Sequence, residues 1–254
     1  MTYQKNSSRF FIISTFVISF ALCLVLADFF SNLITIKAFN GITSTSKISG
    51  FSVYSIALGK YSNKTNATES AKNLQKQSGA GFVWENDEFF YVLSSAYLEE
   101  NDCKLVKSNL EKNGLEPEIF LIEIPSITIN TNYNPNELNE ITSALNAYKT
   151  AYENLYDISI ALDTSIKTES ESRILLSDVL NLVNKTKLSF DTVFNSQPNS
   201  DALNIKLSLY ELSQIINNLC EFKETSNQTF SSKIKYCYIE CIKLNQDLIS
   251  SLST

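Results

Sequence analysis

Hydrophobic and polar positions divide the chain into four stretches of different pattern. Residues 10–27 contain no charged side chain, and 12 of these 18 residues are Phe, Ile, Leu or Val. An apolar run of this length is just long enough to span a bilayer as a helix. Lys5 and Arg9 precede the run, which places the N-terminal tail in the cytoplasm by the positive-inside tendency. We therefore expect a cytoplasmic tail over 1–9, a transmembrane anchor over 10–30 and an extracytoplasmic remainder.

A cleaved secretory signal is the alternative interpretation of this first stretch. Val25-Leu26-Ala27 offers small enough residues for cleavage, but the apolar core is longer than the usual range of about 7 to 15 residues, so an uncleaved anchor is favoured. Residues 31–50 then turn to Ser, Thr, Asn, Lys and Gly with scattered Ile. This composition predicts a tether that separates the next domain from the bilayer.

Strand and helix signals alternate between residues 51 and 125. The spacing predicts, in order, strands over 51–58, 82–85, 88–95 and 119–124, and helices over 65–77 and 99–112. The first helix presents Ala67, Ala71 and Leu74 on one face, and the second presents Leu105, Val106 and Leu110. The order βαββαβ is that of a ferredoxin-like, two-layer α+β domain.

The predicted hairpin of this domain separates its residues onto two faces of the sheet. With Asn86-Asp87 as a two-residue turn, one face carries mostly aromatic side chains: Phe82, Trp84, Phe89, Tyr91 and Leu93. The other carries Val83, Phe90 and Val92, which with Ile56 and Leu58 are expected to pack under the two helices. Two interpretations of the aromatic set stay open, namely an exposed surface for a ligand such as a sugar, or burial under the C-terminal half of the chain.

The remainder of the chain, residues 136–254, is predicted to be all helical. No glycine occurs after Gly114, and polar clusters at 167–170, 195–200 and 223–227 divide the stretch into about four helices. Apolar residues recur at alternating spacings of three and four in the first helix, as in a coiled-coil seam: Leu138, Ile141, Leu145, Tyr148, Tyr152 and Leu155. We predict an up-and-down helical bundle.

Composition narrows the range of functions. The net charge is −6 and no basic cluster occurs, which argues against a nucleic-acid partner. Histidine is absent, so imidazole-based catalysis and the common zinc sites that contain histidine are excluded. Cys237 and Cys241 lie one helical turn apart but lack a convincing third ligand, and the acidic pairs Glu99-Glu100 and Glu169/Glu171 lie at helix starts, where negative charge is favoured anyway. We predict no catalytic residue, no metal and no cofactor.

The residues of the α+β domain resemble a known family. The run Ser55-Ile56-Ala57-Leu58-Gly59-Lys60-Tyr61, followed by an alanine-bearing helix, is similar to the first strand and helix of SPOR domains. The run Phe90-Tyr91-Val92-Leu93-Ser94-Ser95-Ala96-Tyr97 lies where that family has an apolar strand followed by Gly-Pro-Phe. The similarity covers about 75 of 254 residues, and the single anchor resembles the stage II sporulation protein B type.

This resemblance implies a non-enzymatic membrane protein that binds septal peptidoglycan glycan strands in sporulation or cell division. It places the glycan on the face that carries Ser55 and Ala57 of the first strand together with Phe82, Trp84, Phe89, Tyr91 and Leu93. The helical bundle would then contact division or sporulation proteins. Ala57 replaces a polar residue of the family and Ser95 replaces a glycine. The alternative is therefore a protein–protein scaffold whose SPOR fold no longer binds glycan.

Overall fold

A computed structural model describes residues 46–86, 88–129, 133–195 and 199–252. The predicted anchor lies outside these residues, and none of the helices within them is long and apolar enough to cross a bilayer. The elements are, in order, β1 Ser46–Ile48, β2 Phe51–Tyr61, α1 Lys64–Lys76, β3 Phe82–Asn86, β4 Phe89–Tyr97, α2 Glu100–Lys112, β5 Glu118–Ile124, β6 Ile127–Ile129, α3 Pro135–Asp163, α4 Glu169–Val193, α5 Ser200–Cys220 and α6 Phe230–Leu252.

Strands β2 to β5 form an antiparallel sheet in the order β3-β4-β2-β5. This order and the intervening helices confirm the predicted α+β class and its βαββαβ arrangement. The hairpin turn, however, was predicted one residue too early, because Asn86, predicted as a turn residue, pairs with Phe89 as the last residue of β3. The predicted turn would pair Trp84 with Phe89, whereas in the structure Trp84 pairs with Tyr91. The shift moves the partner of each residue by two positions, so every side chain stays on its predicted face.

Helices α1 and α2 cover one face of this sheet. Asn63 caps α1 by accepting a hydrogen bond from the Thr65 amide at 2.7 Å. The buried residues of α1, Ala67 and Ala71, pack with Val92. Under α2 the buried cluster is formed by Ile56, Tyr97 and Cys103, with Leu58, Val106 and Leu110 at its edge. The prediction for Leu105 was wrong, since its side chain is 63% exposed and Cys103 occupies the buried position instead.

A second, two-stranded sheet joins the two ends of the α+β domain. Ser46–Ile48 pairs antiparallel with Ile127–Ile129, just before β2 and just after β5. Residues 46–50 belong to the predicted tether, and the sequence pattern predicts neither strand. Three-residue strands contain too few positions for the alternation of polar and apolar residues to be recognised.

The C-terminal helices form the predicted four-helix bundle. Each of α3 to α6 packs against the next in sequence, and α6 returns to α3. Their ends fall at the predicted polar breaks, and α3 and α4 both begin with a capping box, at Asn134/Glu137 and Thr168/Glu171. The predicted seam on α3 is confirmed from Ile141 to Leu155, where its members are at most 3% exposed.

The bundle seam gives the first testable prediction. Leu155 is fully buried on α3, whereas Leu188 is 68% exposed on α4. Replacing Leu155 with Ala is expected to lower the free energy of unfolding by about 2 to 5 kcal/mol, because it removes apolar contacts and leaves a cavity. Leu188→Ala is the matched control and is expected to change it by less than about 0.5 kcal/mol. Urea denaturation measures both, and equal losses would contradict the described packing.

Candidate functional site: the aromatic face of the sheet

The face of the sheet opposite α1 and α2 carries the residues that the sequence analysis singled out. Phe82, Trp84, Phe89, Tyr91 and Leu93 share this face through the β3–β4 pairing, as predicted. We call these five residues the aromatic face. Ala57 pairs with Leu93, and the neighbouring strand β5 adds Phe120 and Ile122 to the same side. The structure therefore brings the predicted residues together.

Helix α6 of the bundle packs against this face. Phe82 is 9% exposed, Trp84 5% and Leu93 0%, and all three belong to the same hydrophobic cluster as the bundle core. The ring of Tyr236 on α6 lies 5.1 Å from the ring of Phe82, measured between centroids. Lys243, two turns further along α6, places its Nζ 5.4 Å from the centre of the Trp84 ring. Of the two interpretations left open by the sequence, the structure thus shows burial for most of the face.

A buried tyrosine on α6 completes the hydrogen bonding of β4. β3 pairs with β4 only as far as Leu93, which leaves the edge of β4 beyond it without a strand partner on that side. The hydroxyl of Tyr238 accepts a hydrogen bond from the Ala96 amide at 2.5 Å and donates one to the Ala96 carbonyl at 2.6 Å. Burial raises the pKa of Tyr238 well above its usual value, so the hydroxyl keeps its proton.

Further polar contacts flank Tyr238 on both sides. Near the start of α6, the Ser232 hydroxyl donates to the Gly79 carbonyl at 2.7 Å, and Lys235 donates to the Ser78 carbonyl at 3.0 Å. Near its end, the Gln246 side chain donates to the Glu123 carbonyl at 3.0 Å. Because these bonds extend from one end of α6 to the other, they fix the helix on the sheet in one register.

One corner of the face remains partly open to solvent. Phe89, Tyr91 and Phe120 are of intermediate exposure, and we call these three residues the aromatic rim. The Tyr91 and Phe120 rings lie 4.7 Å apart, and Lys60 Nζ lies 4.0 Å from the centre of the Phe89 ring. Phe120 is not among the site residues predicted from the sequence. The alternation of residues 119–124 contained the necessary signal, but the pairing of β5 with β2 was needed to assign its face.

Two predicted positions on the first strand are buried within the sheet. The side chain of Ser55 is fully buried, and its hydroxyl donates to the Ser95 carbonyl at 2.6 Å. Ala57 is 3% exposed. Neither side chain presents a polar group to solvent. Glycan binding by these residues and by the aromatic face stays a prediction.

The other candidate groups have structural contacts. In the described residues, no group of three Cys, Asp or Glu side chains has a metal-binding arrangement. Glu171 belongs to the capping box of α4, and Glu169 pairs with Arg173 at 2.6 Å. Cys237 and Cys241 are fully buried in the bundle. Burial raises the pKa of Cys237 to about 12 and raises that of Cys241 as well.

Comparisons with known proteins identify one solved structure. No family model matches the chain, and neither does any curated protein. The solved structure is the peptidoglycan-binding domain of the B. subtilis cell wall lytic enzyme CwlC, with 19% sequence identity and a TM-score of 0.24. The match covers 33% of this chain and 99% of that chain. We draw no conclusion about function from a similarity of this size, and membership of the SPOR family stays a prediction.

The contact between Tyr238 and Ala96 gives a second prediction. Tyr238→Phe removes both hydrogen bonds and leaves two buried backbone groups unpaired. We expect the free energy of unfolding to fall by about 1 to 3 kcal/mol, the usual cost of leaving buried polar groups unsatisfied. Tyr236→Phe, two residues away on α6, is the control because no hydrogen bond of its hydroxyl occurs among the described residues. Equal urea midpoints for the two variants would contradict the proposed role of Tyr238.

The buried thiols and phenols predict that the fold loses stability at alkaline pH. An unfolded thiol loses its proton near pH 8.5 and an unfolded phenol near pH 10 (both approximate), whereas folded Cys237 and Tyr238 keep theirs to higher pH. The contribution of these groups to the free energy of unfolding is therefore complete at neutral pH. It decreases at higher pH, where the unfolded chain releases protons that the folded chain retains. Urea midpoints at about pH 7 and about pH 10 measure the decrease.

A cysteine variant measures how much a single thiol contributes to this pH dependence. Cys237→Ala is expected to make the decrease shallower by about 1.4 kcal/mol per pH unit in the range where only the unfolded thiol is ionised. Cys220→Ala is the comparison: burial raises the pKa of Cys220 as well, but this thiol is less buried than Cys237, so its removal is expected to make the decrease shallower over a narrower pH range. An unchanged slope in the Cys237→Ala variant would contradict the inferred difference in protonation.

Proposed function

We propose that the chain is a non-enzymatic protein–protein scaffold in which the α+β domain and the helical bundle act as one unit. The observation that supports this proposal most directly is the cover that α6 provides over Phe82, Trp84 and Leu93. A sugar ring stacks on an aromatic side chain only where the ring is open to solvent. In this chain those side chains serve instead as the core between sheet and bundle.

The proposed location is the outer side of the cell membrane, at the septum, with residues 10–30 as the anchor. This part of the proposal is based on the apolar run and its flanking charges together with the resemblance to membrane-anchored SPOR proteins. The partners would be other proteins of sporulation or division, bound through the bundle.

The outer surface of the bundle supports binding of a partner protein. Leu203, Leu207 and Tyr210 on α5 are 42%, 59% and 46% exposed. Their spacing of four and three residues places them along one side of the helix. The Tyr210 hydroxyl donates to Asp191 at 2.6 Å, which holds the ring against α4. A row of exposed apolar side chains on a bundle that buries its other seam is typical of a protein-binding surface.

Weak glycan recognition is the second candidate function, and the aromatic rim favours it. Phe89, Tyr91 and Phe120 keep part of their rings accessible beside Lys60. Such an arrangement allows a sugar ring to stack while its hydroxyl groups bond to nearby polar atoms. The aromatic rim contains two of the seven predicted glycan-binding residues, Phe89 and Tyr91, together with Phe120, which was not predicted.

Imaging the full-length chain as a fluorescent fusion tests the scaffold proposal. A variant with Leu203→Ser and Leu207→Ser is expected to lose its localised signal, because it removes apolar surface from the partner-binding side of α5. The matched control carries Leu105→Ser and Leu115→Ser, two leucines of the α+β domain that are 63% and 46% exposed. Substitutions at such exposed positions are expected to change the free energy of unfolding by less than about 0.5 kcal/mol each.

A pull-down with amidase-treated sacculi separates the two candidate functions. The scaffold proposal expects that the full-length chain is not retained on the exposed glycan strands. Retention that disappears in a variant with Phe89→Ser and Tyr91→Ser would instead favour glycan recognition by the aromatic rim. The scaffold proposal is also contradicted if the α5 variant localises as the parent chain does.

A further inference from the structure

A cleft of about 260 Å³ lies between the sheets and the bundle, away from the aromatic rim. One wall is formed by the connection from β1 to β2 and by the end of β5, and the other by α3 and α6. Phe51, Leu145 and Ile249 give the cleft an apolar lining. The lining of the cleft includes neither a residue of the aromatic face nor one of the exposed row on α5.

Asn245 is the unusual residue of the cleft. It lies on the buried side of α6, in line with Cys241 and Ile249, at a position where a bundle helix normally carries an apolar side chain. The residue is 4% exposed, and its side-chain amide has no hydrogen-bond partner among the described residues. An amide side chain offers two donor hydrogens and an accepting oxygen. These groups face the open cleft, so they are available to a polar occupant.

The charged residues of the cleft are all positive. Lys47 and Lys149 lie at its walls, and no carboxylate occurs among its described lining residues. Lys149 forms an ion pair with Glu153 at 3.7 Å, which is weak because the two side chains are 54% and 41% exposed. Because the chain as a whole has a net charge of −6, two lysines without an acidic residue in the same lining make the cleft a local site for an anion.

We propose that this cleft binds a short peptide that ends in a free carboxylate. The Asn245 amide matches a peptide amide, since each offers both a donor and an acceptor. The lysines match the terminal carboxylate, and the apolar lining formed by Phe51, Leu145 and Ile249 accommodates small aliphatic side chains. A simple inorganic anion would use the lysines but would leave the apolar lining and the Asn245 amide without a complementary group.

Saturation-transfer NMR on the full-length chain in detergent micelles tests the proposal, with acetyl-alanyl-alanine as the probe. We expect saturable binding in roughly the millimolar range, as is usual for so small a ligand. Asn245→Leu is expected to weaken binding by about tenfold or more, the equivalent of losing the amide hydrogen bonds. Lys47→Gln with Lys149→Gln is expected to weaken it several-fold and to remove the preference for the free acid over its C-terminal amide.

Two matched probes and a stability measurement make the proposal falsifiable. Butyrate carries the carboxylate without the peptide amide, and its binding as tightly as acetyl-alanyl-alanine would reduce the cleft to a site for anions and overturn the proposal. The same conclusion follows if Asn245→Leu raises the urea midpoint while the parent chain binds no probe, because Asn245 would then be only a polar defect of the core. Loss of binding in Asn245→Leu with an unchanged or higher urea midpoint supports the proposal, since unfolding then does not explain the loss.

Discussion

The packing of α6 against the aromatic face is the interaction on which the rest of the structure depends. Both faces of the four-stranded sheet are apolar, so the sheet requires cover on both sides. Helices α1 and α2 cover one side, and α6 covers the other while also packing against α3 and α5. The described α+β domain and the bundle consequently belong to one compact unit. Removing the bundle would expose Phe82, Trp84 and Leu93 together.

The sequence of α6 explains how one helix serves two neighbours. Small side chains at Cys237 and Cys241 are fully buried and allow close packing inside the bundle. Tyr236 and Tyr238 are larger, and they reach Phe82 and Ala96 of the sheet. Tyrosine suits this boundary because its ring adds apolar contact area while its hydroxyl satisfies backbone groups. The division of small and large residues around α6 thus fixes which neighbour each part of the helix contacts.

Local patterns in the sequence predicted the longer elements and most of their faces, but not the short strands β1 and β6 or what the faces contact. The hairpin turn was misplaced by one residue, yet every hairpin residue was assigned to the correct face because the period of a strand is two. Burial of the aromatic face under the C-terminal half of the chain was left as one of two alternatives, since periodicity identifies an apolar face without identifying what covers it. The buried positions of α6 include Ile234, Tyr238, Ile239 and Ile242. Such a wide apolar arc indicates burial on more than one side.

The sequence predicts most of the residues that form the candidate site, but not which of them are exposed to solvent. Trp84 and Tyr91 are cross-strand partners, yet Trp84 is 5% exposed and Tyr91 is only partly buried. The difference arises from the position of α6, which is separated from β3 by more than 130 residues of sequence. Phe120 joins the same group only through the pairing of β5 with β2. Contacts at such separations depend on the whole topology, which no local spacing records.

A glycan and helix α6 would contact the same aromatic rings, so glycan binding competes with the packing of α6. The free energies of the two interactions decide which one is formed. A glycan that needed Trp84 would have to displace α6, together with the hydrogen bonds from Tyr238 to Ala96. If the closed arrangement is favoured by about 4 kcal/mol, the apparent affinity of such a glycan falls roughly a thousandfold. A ligand of the aromatic rim has no such cost, because Tyr91 and Phe120 are accessible while α6 stays in place. Binding of a glycan to Trp84 therefore requires a second event that stabilises α6 in a position away from the sheet. Binding of a partner protein to the bundle is one such event.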